Sequence, residues 1–166
     1  TGTTTVATIN ATTIQVGGNQ AVNGPAFSAY LNTTQSIANA TLDKVQCNTK
    51  EFDTANCYNN TGSTVNGIPG YSYQPNVAGY YQVNTWIRPN NNYNQFTYLY
   101  KNGVAIRNVY GSSYSFSLPV STMVYCNGST DYLEIYAYQS TGSSLSIANS
   151  NGQSFNGFEA CLMRSQ

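Results

Sequence analysis

The sequence predicts an all-β domain, a sandwich or barrel of about ten short strands. Three observations carry that prediction. Runs that alternate β-branched or aromatic residues with polar ones recur along the chain. Turn signals rich in Gly, Asn and Pro separate them every roughly 8–12 residues. No stretch holds a helical period of useful length. The clearest strand covers residues 79–87, opened by Gly79 and closed by Pro89 and the run Asn90, Asn91, Asn92. Tyr81, Val83, Thr85 and Ile87 fall on one face of it; Tyr80, Gln82, Asn84 and Trp86 fall on the other. A strand apolar on one face and amphipathic on the other sits inside a sheet covered on both sides.

In chain order, residues 1–24 are rich in Thr, Val and Ile, contain no aromatic residue and are interrupted at Gly17 and Gly18. They read as a stem or linker that packs only beside other copies or a neighbouring protein. The compact part, residues 25–166, opens with the alternating strand 25–31. A polar stretch follows, then a short strand over 42–47. Residues 51–54 with the Asn/Thr/Gly-rich 56–70 read as a long surface loop, and 71–75 lead into the 79–87 strand. Residues 95–101 and 104–107 flank Asn102-Gly103, the strongest short-range hairpin cue, because a type I′ turn needs positive φ at both central positions. Strands are expected at 114–120, 121–126, 131–138 and 155–164, with a turn at 127–130. A closed barrel or a double-sheet jelly roll disposes of the exposed edges that so many strands create.

At 166 residues this is one domain, with or without a short appendage, and it can bury roughly two-thirds of its unfolded surface. Charged residues are 7% of the chain, against roughly 25% in an average soluble domain. Six basic and six acidic residues cancel, so nothing steers the chain toward nucleic acid or anionic lipid. No apolar run approaches the roughly 20 residues of a membrane span, which excludes insertion by a helix. Polarity comes from Asn, Ser, Thr, Gln and 15 tyrosines. With no initiator methionine and no basic-then-apolar leader, the chain reads as processed or excised from something longer. Cys47, Cys57, Cys126 and Cys161 allow three disulfide pairings. Cys47 and Cys161 lie in strand-like runs, where a free thiol behaves as a small hydrophobe, and that reading outweighs a bridge. Zinc is disfavoured, since the chain has no CxxC and no histidine.

The order of motifs resembles one family. PAFSAYL, KVQCNTKEFDT, YSYQPNVAGYYQVNTWI, the LYKNGV hairpin, DYLEIYAY and the closing SFNGFEACLMR follow one another as in the complement C1q/TNF-like domain, over residues 25–164. Departures are the extra residues 59–70, Cys47 where the family has an aromatic residue, and a stretched turn at 127–131. The Asn/Tyr/Thr-rich style is similar to versions of this domain in bacteriophage virion proteins. The resemblance implies a ten-stranded jelly roll with a short extended N-terminal stem, trimerising about a threefold axis through Tyr80, Gln82, Asn84 and Trp86. It also implies a place on the virion, assembled in the bacterial cytoplasm and exposed outside it, with other virion proteins met through the N-terminal segment.

Catalysis is not expected. Without histidine, acid/base work falls on six carboxylates and the cysteines. Asp131 and Glu134 point to opposite faces of a strand, and Glu51 and Asp53, with Lys50 beside them, read as a solvated pair. No cofactor is implied. The family sometimes holds calcium, for which Asp131, Asp53 and Glu51 offer hard oxygens, although no loop carries enough acid for one ion. Glycan binding is the more promising chemistry: tyrosine stacks on sugar rings while Asn and Gln serve hydroxyls as donor and acceptor. The loops carrying Arg88 and Tyr93, and Tyr110 and Tyr114, have that makeup. The expected function is therefore a trimeric, non-enzymatic knob of a tail or head fibre that attaches to host-surface glycan. Alternatives are a capsid decoration or cement protein that recognises nothing, and a secreted C1q-like protein.

Overall fold

A computed structural model of the chain describes residues 15–16, 19–20, 24–88, 94–111, 117–147 and 155–166. Among these, every regular element is a strand: β1 (Gln15–Val16), β2 (Asn19–Gln20), β3 (Ala26–Tyr30), β4 (Gln35–Ile37), β5 (Thr41–Lys44), β6 (Thr49–Asp53), β7 (Tyr58–Asn59), β8 (Ser72–Tyr73), β9 (Ala78–Ile87), β10 (Gln95–Lys101), β11 (Val104–Gly111), β12 (Leu118–Asn127), β13 (Leu133–Gln139), β14 (Leu145–Ile147) and β15 (Gly157–Ser165). Ten of them make two five-stranded sheets, ordered β12-β9-β15-β3-β6 and β11-β10-β13-β8-β7. The chain passes back and forth between the two, so most sheet neighbours are distant in sequence, as in a jelly roll. Small antiparallel pairs, β4 with β14 and β1 with β2, stand beside them, and β5 runs against β13 through the bond from Val45 N–H to the Ile135 carbonyl. The expected stem lies mostly outside the described residues.

Alternation decides which side chains fill the space between the sheets. On β9, Tyr81, Val83, Thr85 and Ile87 are all buried, as expected. They face Leu99, Leu133 and Ile135 in the common core. The densest part is aromatic. Phe27 of β3 stacks on Tyr58 at 4.7 Å and on Tyr73 at 4.2 Å, and meets Phe158 edge-on at 4.9 Å. Two sheets are thereby joined by one ring. The hydroxyls of Tyr58 and Tyr81 donate to the carbonyls of Cys47 and Val77 at 2.8 and 2.7 Å, so the buried tyrosines keep partners for their polar ends.

Turns follow their residues. Asn102 and Gly103 both have positive φ, 53° and 76°, and join β10 to β11 as the sequence predicts. Residues 60–71 are organised by the buried Asn59. Its amide donates to the carbonyls of Ser63 and Ile68, and its oxygen accepts from the Thr61 N–H and hydroxyl.

Several expectations are corrected. Residues 51–53, read as the start of a long loop, belong to the edge strand β6, and Tyr58–Asn59 within that expected loop is β7. The strand expected over 42–47 stops at Lys44, which leaves Cys47 in the link to β6, buried and unbridged. All four cysteines are free. Instead of two strands over 114–126 there is one, β12, beginning at Leu118, with residues 112–116 outside the description. The small strands β4 and β14 were not expected at all.

Two buried hydroxyls, Thr85 Oγ1 and Thr97 Oγ1, lack a hydrogen-bond partner among the described residues. An unpartnered buried hydroxyl carries its desolvation penalty uncompensated. Thr97→Val and Thr85→Val should therefore leave stability unchanged or raise it by up to ~1 kcal/mol in urea unfolding. A loss above that size would reveal a partner for the hydroxyl.

Candidate functional site

The outward face of the β12-β9-β15-β3-β6 sheet carries Tyr80, Gln82, Asn84 and Trp86 from β9. Register places Tyr125, Met123 and Ser121 beside them from β12, and Cys161 and Glu159 from β15. Large apolar side chains stand open here: Phe52 is 50% exposed, Tyr80 45%, Met123 47%, Tyr125 36% and Met163 53%. These are five of the nine exposed large hydrophobics among the described residues. Polar groups between them are tied to one another. Ser121 Oγ donates to Asn84 Oδ1 at 2.7 Å, and Gln82 Nε2 donates to both. Asn84 Nδ2 donates to Glu159 Oε1 at 3.0 Å. A depression of about 170 Å³ opens on this face between Phe52, Gln82, Asn84, Glu159 and Cys161. Trp86 differs from its three companions. Its indole lies on Gly157, where a Cβ would come within 2.1 Å of Cζ2, so part of that ring is covered by its own chain.

The outward face of the other sheet is different in kind. Phe96, Tyr98 and Tyr100 alternate along β10, Tyr136 and Tyr138 stand beside them on β13, and Tyr110 on β11. Their rings form a continuous chain of contacts. Phe96 meets Tyr110 at 4.8 Å, Tyr98 at 5.6 Å and Tyr138 at 5.9 Å; Tyr100 meets Tyr98 at 6.2 Å and Tyr136 at 4.5 Å. Lys44 Nζ lies 5.8 Å from the Tyr136 ring centre and is ion-paired with Glu134. Burial, with the Glu134 charge second, pushes the Tyr136 hydroxyl up to about 12, so it stays a neutral donor at ordinary pH.

The four residues expected to meet a ligand do not form one group. Tyr93 and Tyr114 lie outside the described residues. Arg88 stacks its guanidinium on Phe155 at 4.4 Å, and its N–H donates to Asn156 Oδ1. Tyr110 belongs to the aromatic face, with its hydroxyl donating to Asn94 Oδ1. Alternation along β10 and β13 is visible in the sequence. That the two strands are neighbours is not, and so the aromatic face escaped the sequence reading.

No protein-family profile and no curated protein sequence matches this chain. Solved structures do. Murine APRIL superposes with a TM-score of 0.59 at 10% identity, over 84% of this chain and 100% of that one. The PRD1 vertex protein P5 gives 0.57 at 17%, over 85% and 98%. The globular domain of zebrafish complement 1qA protein gives 0.52 at 17%, over 86% and 99%. The chain has the C1q/TNF-like jelly-roll fold.

Within this C1q/TNF-like roll the carboxylates are spent on structure. Asp53 accepts from Lys50 Nζ at 2.8 Å and from the N–H groups of Cys57 and Tyr58, which makes it a buried turn anchor and corrects the expectation of a solvated pair with Glu51. Glu51 accepts instead from Ser28 Oγ at 2.6 Å. Asp131 precedes β13 and pairs with Lys101 at 2.8 Å; it and Glu134 therefore serve separate ion pairs. Among the described residues no three acidic or cysteine side chains converge on a metal position. Asp53, Glu51 and Asp131 do not fit a calcium site, since each is already engaged elsewhere. Burial pushes up the thiols of Cys47, Cys57 and Cys126, the last to about 12, so none of these three offers a ready thiolate.

Burial works to raise the Asp131 carboxyl too. Hydrogen bonds from Lys101, Asn102 and the Asn127 N–H, with the Lys101 charge, outweigh it and hold the group below the usual carboxylate value. A carboxyl depressed on folding stabilises above its unfolded pKa of about 3.9 and loses that contribution as pH falls through the folded value. Asp131→Asn should cost ~1–3 kcal/mol at pH 7. It should also flatten the loss of stability below about pH 4, read by urea unfolding at pH 7 and pH 3. An unchanged acid limb would remove Asp131 from the account.

Proposed function

We propose that this chain is a non-catalytic surface module of a virion that closes into a homotrimer through the outward face of the β12-β9-β15-β3-β6 sheet, with Tyr80, Gln82, Asn84 and Trp86 near its middle, and that attaches the particle to a host surface. One observation carries the assembly: five of the nine exposed large hydrophobics among the described residues crowd that single face. Isolated exposed apolar groups need no explanation, but a contiguous patch of this kind on a sheet marks an interaction surface. Its charge-poor centre and its Met and Tyr content match the fully buried part of protein interfaces. The likeness in fold to the PRD1 vertex protein P5 supports a place on a virion. The non-catalytic part is supported by a chain without histidine, by carboxylates already engaged with lysine, hydroxyl, amide or backbone N–H donors, and by the burial of three of the four thiols.

A second reading, a capsid decoration protein that locks neighbours and recognises no receptor, uses the same trimer. It differs only in what the remaining surface does. Residues 1–24 would join either kind of module to its particle.

Light scattering at micromolar concentration should return three times the 18.0 kDa chain mass. Tyr80→Glu combined with Met123→Glu places two charges in the buried centre and should yield single chains that remain folded. A stable single-chain species from the unaltered protein would sink the trimer.

A further inference from the structure

The aromatic face of the β11-β10-β13-β8-β7 sheet lies on the other side of the sandwich from the face proposed for that assembly, and its chemistry differs. Phe96, Tyr98 and Tyr100 form a straight row along β10, flanked by Tyr136, Tyr138 and Tyr110. All six are partly or openly exposed. The hydroxyls of Tyr98, Tyr100, Tyr136 and Tyr138 have no hydrogen-bond partner among the described residues. Asn108, exposed on β11 directly across from Tyr98, adds an amide that can both donate and accept. Charge is sparse here: Lys44 at one end is matched by Glu134, and the exposed Arg107 is the one charge on β10, β11 or β13 without an ion pair among the described residues. The surface thus offers flat π-faces in a line, polar ends around them, and little net charge.

From this we infer that the face is a binding platform for an extended neutral polysaccharide. A pyranose ring in an equatorially linked chain presents an apolar C–H face above and below and hydroxyls around its rim. Those faces lie on rings, and those hydroxyls meet phenols and the Asn108 amide. A linear row of rings suits a straight polymer better than a compact branched one. Phosphate, nucleic acid or an acidic chain would find no cluster of cations to compensate its charge. A second copy of this chain would leave the free hydroxyls unpaired on burial, a smaller penalty on the other sheet's face, where amides, a hydroxyl and a carboxylate are already bonded to one another. The inference deepens the attachment part of the proposed function and rests on it for the kind of partner, but not on the trimer.

Affinity electrophoresis of the whole protein in native gels containing hydroxyethylcellulose or galactomannan tests it, with light scattering on the same samples. The expected result is slowed migration in at least one polymer. Tyr98→Ala with Tyr136→Ala should weaken the apparent affinity by about tenfold or more, the loss of two stacking rings, at unchanged oligomeric mass. Tyr98→Phe with Tyr136→Phe should lose less, since the rings remain. Asn108→Glu, which touches no core residue and adds a charge in the middle of the row, should also weaken retardation. Migration unslowed by either polymer overturns the inference. So does retardation that survives both the alanine pair and Asn108→Glu, or binding of a proline-rich peptide in place of the polymers. A retarded single chain would overturn the trimer and keep the platform; an unretarded trimer would do the reverse.

Discussion

In a strand, every residue sent inward sends its neighbours outward. This chain must do so with 15 tyrosines and only twelve charged side chains. That constraint shapes the whole molecule. Tyr81, Val83, Thr85 and Ile87 fill the space between the sheets, and their placement forces Tyr80, Gln82, Asn84 and Trp86 out. Leu99 and Thr97 go in, and Phe96, Tyr98 and Tyr100 come out. A typical domain covers its outward positions with Lys and Glu. Here they carry rings, amides and sulfur, so both outer faces of the sandwich expose apolar and hydrogen-bonding groups in place of charge.

The two faces divide along chemical lines. On one, Met123, Met163, Phe52 and the Tyr80–Tyr125 pair surround amides and a carboxylate that are already bonded to each other. Such a surface gains by losing water and has few polar ends left to satisfy, which suits close contact with more protein. On the other, the hydroxyls of Tyr98, Tyr100, Tyr136 and Tyr138 have no partner among the described residues, which suits a partner that brings hydroxyls of its own. Ion pairs are confined to places where the fold needs a clamp. Lys44 with Glu134 ties β5 to β13, Lys50 with Asp53 holds the turn after β6, and Lys101 with Asp131 holds the approach to β13.

The sequence revealed the fold through elements whose pattern is local. The alternation of β9 and the Asn102-Gly103 turn each lie within a few residues, and the order of such motifs along the chain indicated the jelly roll. What escaped has physical reasons. Residues 51–53 look like a loop because Glu51 and Asp53 follow Lys50, yet an edge strand tolerates charge on its open side, and among the described residues β6 pairs with β3 alone. A bulge opposite Ser28 and Ala29 further blurs its alternation. Cys47 looked like a strand residue because Val45 and Cys47 are both buried, although the chain there is a link closing over the core. The tyrosine row required knowing that residues 95–101 pair with 133–139, and nothing within either segment names its partner.

The division of labour between the two faces is open to one direct measurement. Hydroxyl-radical footprinting of the native protein, read residue by residue by mass spectrometry, compares both faces in the same sample. The account predicts that Met123 and Met163, among the most reactive side chains a single subunit exposes, are oxidised slowly, while Tyr98, Tyr100 and Tyr136 are labelled freely. Rapid oxidation of both methionines, at the rate their openness in one subunit allows, would show that nothing covers this face and would contradict the account.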